Sequence, residues 1–129
     1  MQDQPTPSEV LSAVARFLKE VVAAETHGHT SFNARVAANA LEMMRRQLDL
    51  APAAQIAEHG RLQNLLGAKG DLPALNAELS ARLADGRLDL ETPGVAEHLW
   101  QTTLDKLAVD QPTYWGYRAA LAERALNQD

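Results

Sequence analysis

Helix starts and stops recur from one end of this 129-residue chain to the other, and no segment shows the alternating β-branched and aromatic residues of a strand. That pattern predicts an all-α fold: a compact bundle of about six short-to-medium helices whose short loops make neighbours mostly antiparallel. Thr6-Pro7-Ser8-Glu9 has the form of a capping box with proline in the first turn, so a first helix runs from there to about Glu25 with Val10, Val14, Phe17, Leu18 and Val21 as one stripe. Thr26-His27-Gly28-His29-Thr30 disfavours helix, and a second is predicted from Thr30 or Ser31 to about Asp49 with Phe32, Val36, Ala40, Met43 and Met44 turned inward. Leu50-Ala51-Pro52 then breaks the chain and starts a third helix, whose core residues are Ile56, Leu62, Leu65 and Leu66. Asp71 caps a fourth, carrying Leu72, Leu75, Leu79 and Leu83 and stopping at Gly86. Thr92-Pro93 opens a fifth, with Val95, Leu99, Trp100, Leu104, Leu107 and Ala108 as its stripe; Pro112 ends it, and residues 113 to about 126 form the last.

A chain of this length is expected to form one helical domain over 1–129, with short flexible ends at about 1–5 and 127–129. The absence of cysteine excludes disulfide scaffolds, thiolate nucleophiles and zinc–thiolate sites. Twelve Lys and Arg against 17 Asp and Glu leave a net charge of −5, poor for wrapping nucleic acid, so no nucleic-acid partner is expected. No run approaches the roughly 18 apolar residues that cross a bilayer. Met1-Gln2-Asp3-Gln4-Pro5 is acidic and polar, unlike a signal peptide, so the expected location is cytoplasmic and away from membranes.

The most unusual polar feature is on the second helix. Arg35, Asn39, Glu42 and Arg46 recur at spacings of four, three and four, which stacks them on one face. A guanidinium fork with an amide one turn on suits a carboxylate or phosphate ligand, and equally suits fastening a neighbouring helix. Asp110 closes the fifth helix, where a negative charge opposes exposed carbonyls and calls for a compensating partner; Arg35 is one, and backbone beyond Pro112 is another. Trp100, Tyr114, Trp115 and Tyr117 gather aromatic area in the last third, and Tyr114 and Trp115, being adjacent, cannot both point inward. Trp100, Trp115 and Tyr117 therefore mark the expected interface with a second copy or a partner protein.

Other chemistry is thinly represented. Glu25, His27 and His29 lack further converging ligands, and Glu58-His59 and Glu97-His98 lack the Glu-x-x-His spacing of carboxylate-bridged metal sites, so no metal is assigned. Ser8 and Ser31 read as helix starts, and Ser80 lies mid-helix, so no catalytic residue and no cofactor is assigned. Leu48-Asp49-Leu50 before Ala57-Glu58-His59 echoes Leu88-Asp89-Leu90 before Ala96-Glu97-His98, a similarity that common residues at helix–loop junctions also produce.

Three segments together carry a family resemblance: Phe32-Asn33-Ala34-Arg35-Val36-Ala37-Ala38-Asn39-Ala40-Leu41, Gly70-Asp71-Leu72 through Leu79, and Leu107-Ala108-Val109-Asp110-Gln111-Pro112-Thr113-Tyr114. From Pro5 to about Tyr114 the chain resembles a bacterial family of small all-helical proteins known only as a domain of unknown function, with Arg-Val-Ala-Ala-Asn as its most specific part. The resemblance implies genes beside acyl-CoA dehydrogenases and aminoglycoside-phosphotransferase-like kinases, and an accessory role in acyl-CoA or small-molecule metabolism. It carries over Arg35, Asn39, Asn76, Asp110 and Tyr114 as motif residues. The chain departs from the family pattern at Asn33, where histidine is common, and at Gln111, where asparagine is common, and the first departure weakens histidine acid–base chemistry. Two readings follow: a noncatalytic accessory or interaction protein, or a small anionic-ligand or enzymatic site where Arg35, Asn39, Asn76 and Asp110 converge, with Asp110 as acid or base.

Overall fold

The computed structural model describes residues 3–127, and among them there are helices and no strands. Helix α1 (Pro7–Phe17) passes through one wide π turn (Leu18–Val22) into α2 (Ala23–Glu25), and α3 (Gly28–Leu66), α4 (Leu72–Ala84), α5 (Val95–Asp110) and α6 (Trp115–Leu126) follow. Because α1, the π turn and α2 are continuous, the described residues form five helical runs, where the sequence pattern predicts about six. The boundary expected at Leu50-Ala51-Pro52 is not formed: α3 contains Pro52 in its interior. Proline there removes one N–H and crowds the carbonyl one turn back, but Ala51, Ala53 and Ala54 around it are the strongest helix formers and carry the helix through. The same fact separates the two supposed repeats, since residues 48–50 are helical and residues 88–90 are not. The flexible ends expected at 1–5 and 127–129 lie partly outside the described residues. The chain divides into two compact units, Met1–Leu50 and Ala51–Asp129.

The first unit is a helical hairpin. Thr6 caps α1 as its sequence indicates, its hydroxyl accepting from the Glu9 N–H while the Glu9 carboxylate accepts from the Thr6 N–H at 2.7 Å. Those bonds hold the Glu9 carboxyl below the usual carboxylate range. Two further bonds fix the antiparallel pairing at its opposite ends: Ser8 Oγ donates to Asp49 at 3.0 Å, and Ser31 Oγ donates to the Ala23 carbonyl at 2.7 Å. Ser31 is thus a buried staple inside α3 and not its start, which lies at Gly28 with φ +60°. In a regular helix the eight residues from Ala15 to Ala23 would overshoot two turns by about 80°. The wide turn between them absorbs that excess and brings both alanines to the buried face.

The packed face of α3 is also small: Ser31, Ala34 and Ala38 are buried. The larger residues expected there are turned out, with Phe32 64%, Val36 50% and Met44 49% exposed, Ala40 exposed and Met43 half-buried. Small side chains let two helix backbones approach closely, and that close approach, rather than residue size, selects the inward face. The same inversion holds on α1, where Val10, Val14, Phe17 and Val21 are exposed while Leu11, Ala15, Leu18 and Val22 are covered wholly or in part.

In the second unit, Leu62, Leu66, Leu75 and Leu79 form the core with Leu65, Leu72, Leu83, Leu88 and Leu99 packed around it. Asp71 caps α4 by accepting from the Ala74 N–H, as expected. Polar ties join α3 to α4 and what precedes it: Asn76 Nδ2 donates to Glu58 at 3.0 Å, His59 Nε2 bonds the Gly70 carbonyl at 2.7 Å, and Arg82 donates to the Leu66 carbonyl at 3.1 Å. The last of these satisfies a terminal carbonyl that the helix itself leaves open. Two expectations fail here. Ile56 is 75% exposed and belongs to no core. Helix α5 is capped by Gly94 at φ +89° and not by Thr92, whose hydroxyl and N–H are engaged with Asp89 in a closed loop turn. No helix of the described residues is long and apolar enough to cross a membrane.

Candidate functional site

The second half of α3, α5 and α6 present an unbroken line of polar contacts. Arg61 Nη2 on α3 lies 3.6 Å from Asp105 Oδ2 and 3.4 Å from Thr102 Oγ1. The other oxygen of Asp105 accepts from Gln101 Nε2 at 2.7 Å, one turn back on α5, and the Gln101 amide oxygen accepts from Arg124 Nη2 of α6 at 2.6 Å. One carboxylate and one amide thereby connect two guanidinium groups on different helices. Above this line opens a cleft of about 550 Å³, floored by Ala54 and Ala57 and walled by Trp100 and Glu97. Trp100, which the sequence counts both in the α5 stripe and among the interface residues, is 56% exposed.

A second cleft of about 310 Å³ shares Arg61 and Glu97 and reaches His98. His98 is only 2% exposed, and its Nδ1 and the Nε of Arg61 are buried without a hydrogen-bond partner among the described residues. Burial pushes the imidazole below its ordinary value, the nearby Arg61 charge adds to that, and Glu58 opposes it, so the ring is neutral at pH 7. The sign of the resulting pH dependence follows. With the folded pKa depressed, the unfolded chain takes up a proton near pH 6.5 before the folded one does. Stability is therefore expected to be full above about pH 6.5 and to fall as pH drops from there toward the folded pKa. Thermal unfolding of wild type and His98→Leu between pH 8 and pH 5 checks this: the variant should lose less stability over that interval. Parallel curves would contradict it.

The motif residues expected to act together are distributed between the units. Arg35 and Asn39 stand exposed on the first-unit part of α3, and Glu42 beside them bridges to Arg45 at 3.2 Å, which reaches on to Asp49 at 2.9 Å. Asn76, Asp110 and Tyr114 lie in the second unit. Asn76 is half-buried and engaged by Glu58 and the Leu72 carbonyl, while Asp110 and Tyr114 are exposed. The Tyr114 ring lies over Gly116, where a Cβ would come within 2.8 Å of it, and meets Trp115 with centroids 5.7 Å apart. Both aromatics face solvent, Trp115 at 75%, and Tyr117 is half-buried. Among the described residues there is no cluster of three or more groups able to hold a metal.

Sequence reading missed Arg61, Gln101, Asp105 and Arg124. The one signal available was the i,i+4 spacing of Gln101 and Asp105, which predicts a bond along α5 but not the arginine that joins from either side. Residues 24–114 match the family described as Domain of unknown function (DUF6285), and the chain belongs to that family. No match is found among curated proteins or among solved structures.

Proposed function

We propose that this protein is a noncatalytic accessory protein of acyl-CoA or related small-molecule metabolism, working in the cytoplasm by docking the Trp100 cleft of its second unit onto a metabolic enzyme. The observation that carries this reading is a largely exposed tryptophan set on a helix between a fixed Arg61–Asp105 pair and Arg124. Tryptophan and arginine are the residue types in which binding energy concentrates at protein interfaces. The charges beside Trp100 are engaged with one another along α5, which holds the surface in one shape and lowers the entropy lost on docking. Trp115 adds a second exposed aromatic on α6. The rival reading, an anionic-ligand or catalytic site at Arg35, Asn39, Asn76 and Asp110, draws less support, because the Asn76 amide already serves the contact between α3 and α4.

Calorimetric titration of the full chain into the acyl-CoA dehydrogenase and the phosphotransferase-like kinase encoded beside family members tests the proposal. Saturable binding to one of them is expected. Trp100→Ala should weaken it by at least about 30-fold, the loss of roughly 2 kcal/mol that defines an interface anchor. Binding to neither enzyme would overturn the proposal, as would undiminished binding by the Trp100 variant.

A further inference from the structure

Helix α1 carries two apolar seams, and the hairpin of the first unit uses one of them. Leu11, Ala15, Leu18 and Val22 are spaced four, three and four and are covered wholly or in part; Val10, Val14, Phe17 and Val21 repeat the same spacing one residue earlier and are 40%, 43%, 55% and 36% exposed. One residue is about 100° around a helix, so the open seam faces sideways from the hairpin contact. The antiparallel pairing fixed by Ser8–Asp49 and Ser31–Ala23 turns Met44 and Leu48 of α3, 49% and 51% exposed, toward the same side. None of these six residues is charged. Arg35 and Asn39 lie on the other side of α3, away from that face.

We infer that this face is where a second copy of the chain docks, two hairpins forming a four-helix bundle about a two-fold axis. Spacings of four, three and four average about 3.7 residues, close to the α-helical period, so each seam runs nearly straight along the helix, and a helix with two such seams about 100° apart is built to contact two neighbours, as in a four-helix bundle. The seam is complementary to itself when run antiparallel. With the axis midway between Val14 and Phe17, each Phe17 ring meets the smaller Val14 of the other copy, and Val10 meets Val21. Half-exposed side chains of these sizes leave on the order of 500 Å² on each copy, or about 1,000 Å² over a symmetric pair, which reaches the size a specific interface must clear. A seam without charge offers a differently charged partner nothing to steer by, whereas a copy of itself meets no repulsion.

Sedimentation equilibrium of the full chain, with Val14→Glu and Ser80→Glu as paired variants, tests the inference. The wild type and Ser80→Glu are expected to be dimeric and Val14→Glu monomeric, with unchanged helical circular dichroism because Val14 lies outside the packed face. A monomeric wild type at all concentrations, or a Val14→Glu variant that remains dimeric, would overturn it. Because Trp100 lies in the other unit, enzyme binding by the Val14→Glu monomer would leave the docking proposal standing, so failure of one is distinguishable from failure of the other.

Discussion

Replacing Leu62 by alanine is expected to lower the stability of the second unit by about 2–5 kcal/mol, the range for truncating a fully buried leucine. Leu62 is 0% exposed and sits in the cluster with Leu66, Leu75 and Leu79, so its side chain is enclosed by leucines from both α3 and α4. The cost has two parts, the lost transfer of three carbons from water and the cavity left behind. The cavity is filled poorly here, because its walls are branched side chains anchored on two helices whose polar ties, Asn76 to Glu58 and Arg82 to the Leu66 carbonyl, resist collapse. Urea unfolding followed by circular dichroism should show a lower midpoint with little change in slope. Ile56→Ala is the control: at 75% exposure it should change stability by less than about 0.5 kcal/mol, although both residues belong to the stripe that the sequence assigns to the core. Equal effects at the two positions would contradict the assignment of the core.

The second large effect is expected in the opposite direction. Pro52→Ala should stabilise the protein by about 1–3 kcal/mol, since interior proline costs a helix about 3 kcal/mol relative to alanine, through a missing N–H donor and a crowded carbonyl, and the more flexible unfolded chain returns part of that gain. The prediction depends on Pro52 lying inside α3. Had the chain broken at Leu50-Ala51-Pro52, proline would occupy the first turn of a new helix, its preferred position, and alanine would be neutral or destabilising. Thermal unfolding of the two proteins separates these cases by sign alone.

The sequence is informative wherever a local signal decides the structure. The Thr6–Glu9 box, the Asp71 cap and the stops before Thr26, Gly86 and Pro112 depend on hydrogen bonds within a few residues, and each is found in place. It misleads where the outcome depends on what lies across a contact. Proline at 52 looks like a start because the rule for proline is local, while α3 persists through the helix propensity of several alanines taken together. Phe32 and Val36 look like core because they are large, while the hairpin closes on Ser31, Ala34 and Ala38 because they are small. The polar line from Arg61 to Arg124 joins residues 63 positions apart in the sequence, and only its Gln101–Asp105 link follows a local spacing; the two arginines join from other helices. Tyr114 and Trp115, being adjacent, could not both turn inward, so the sequence places at least one of them at the rim, and both are exposed.

The proposed docking of α5 and α6 onto an enzyme is tested most directly by hydrogen exchange on the full chain, alone and mixed with an excess of the acyl-CoA dehydrogenase or of the phosphotransferase-like kinase. Protection is expected to increase around Trp100, Gln101 and Asp105 and along α6 toward Arg124, with the hairpin around Val14 unaffected by the enzyme. Added protection confined to the segment containing Arg35 and Asn39, with α5 unchanged, would contradict the account and return the site to the polar stripe of α3.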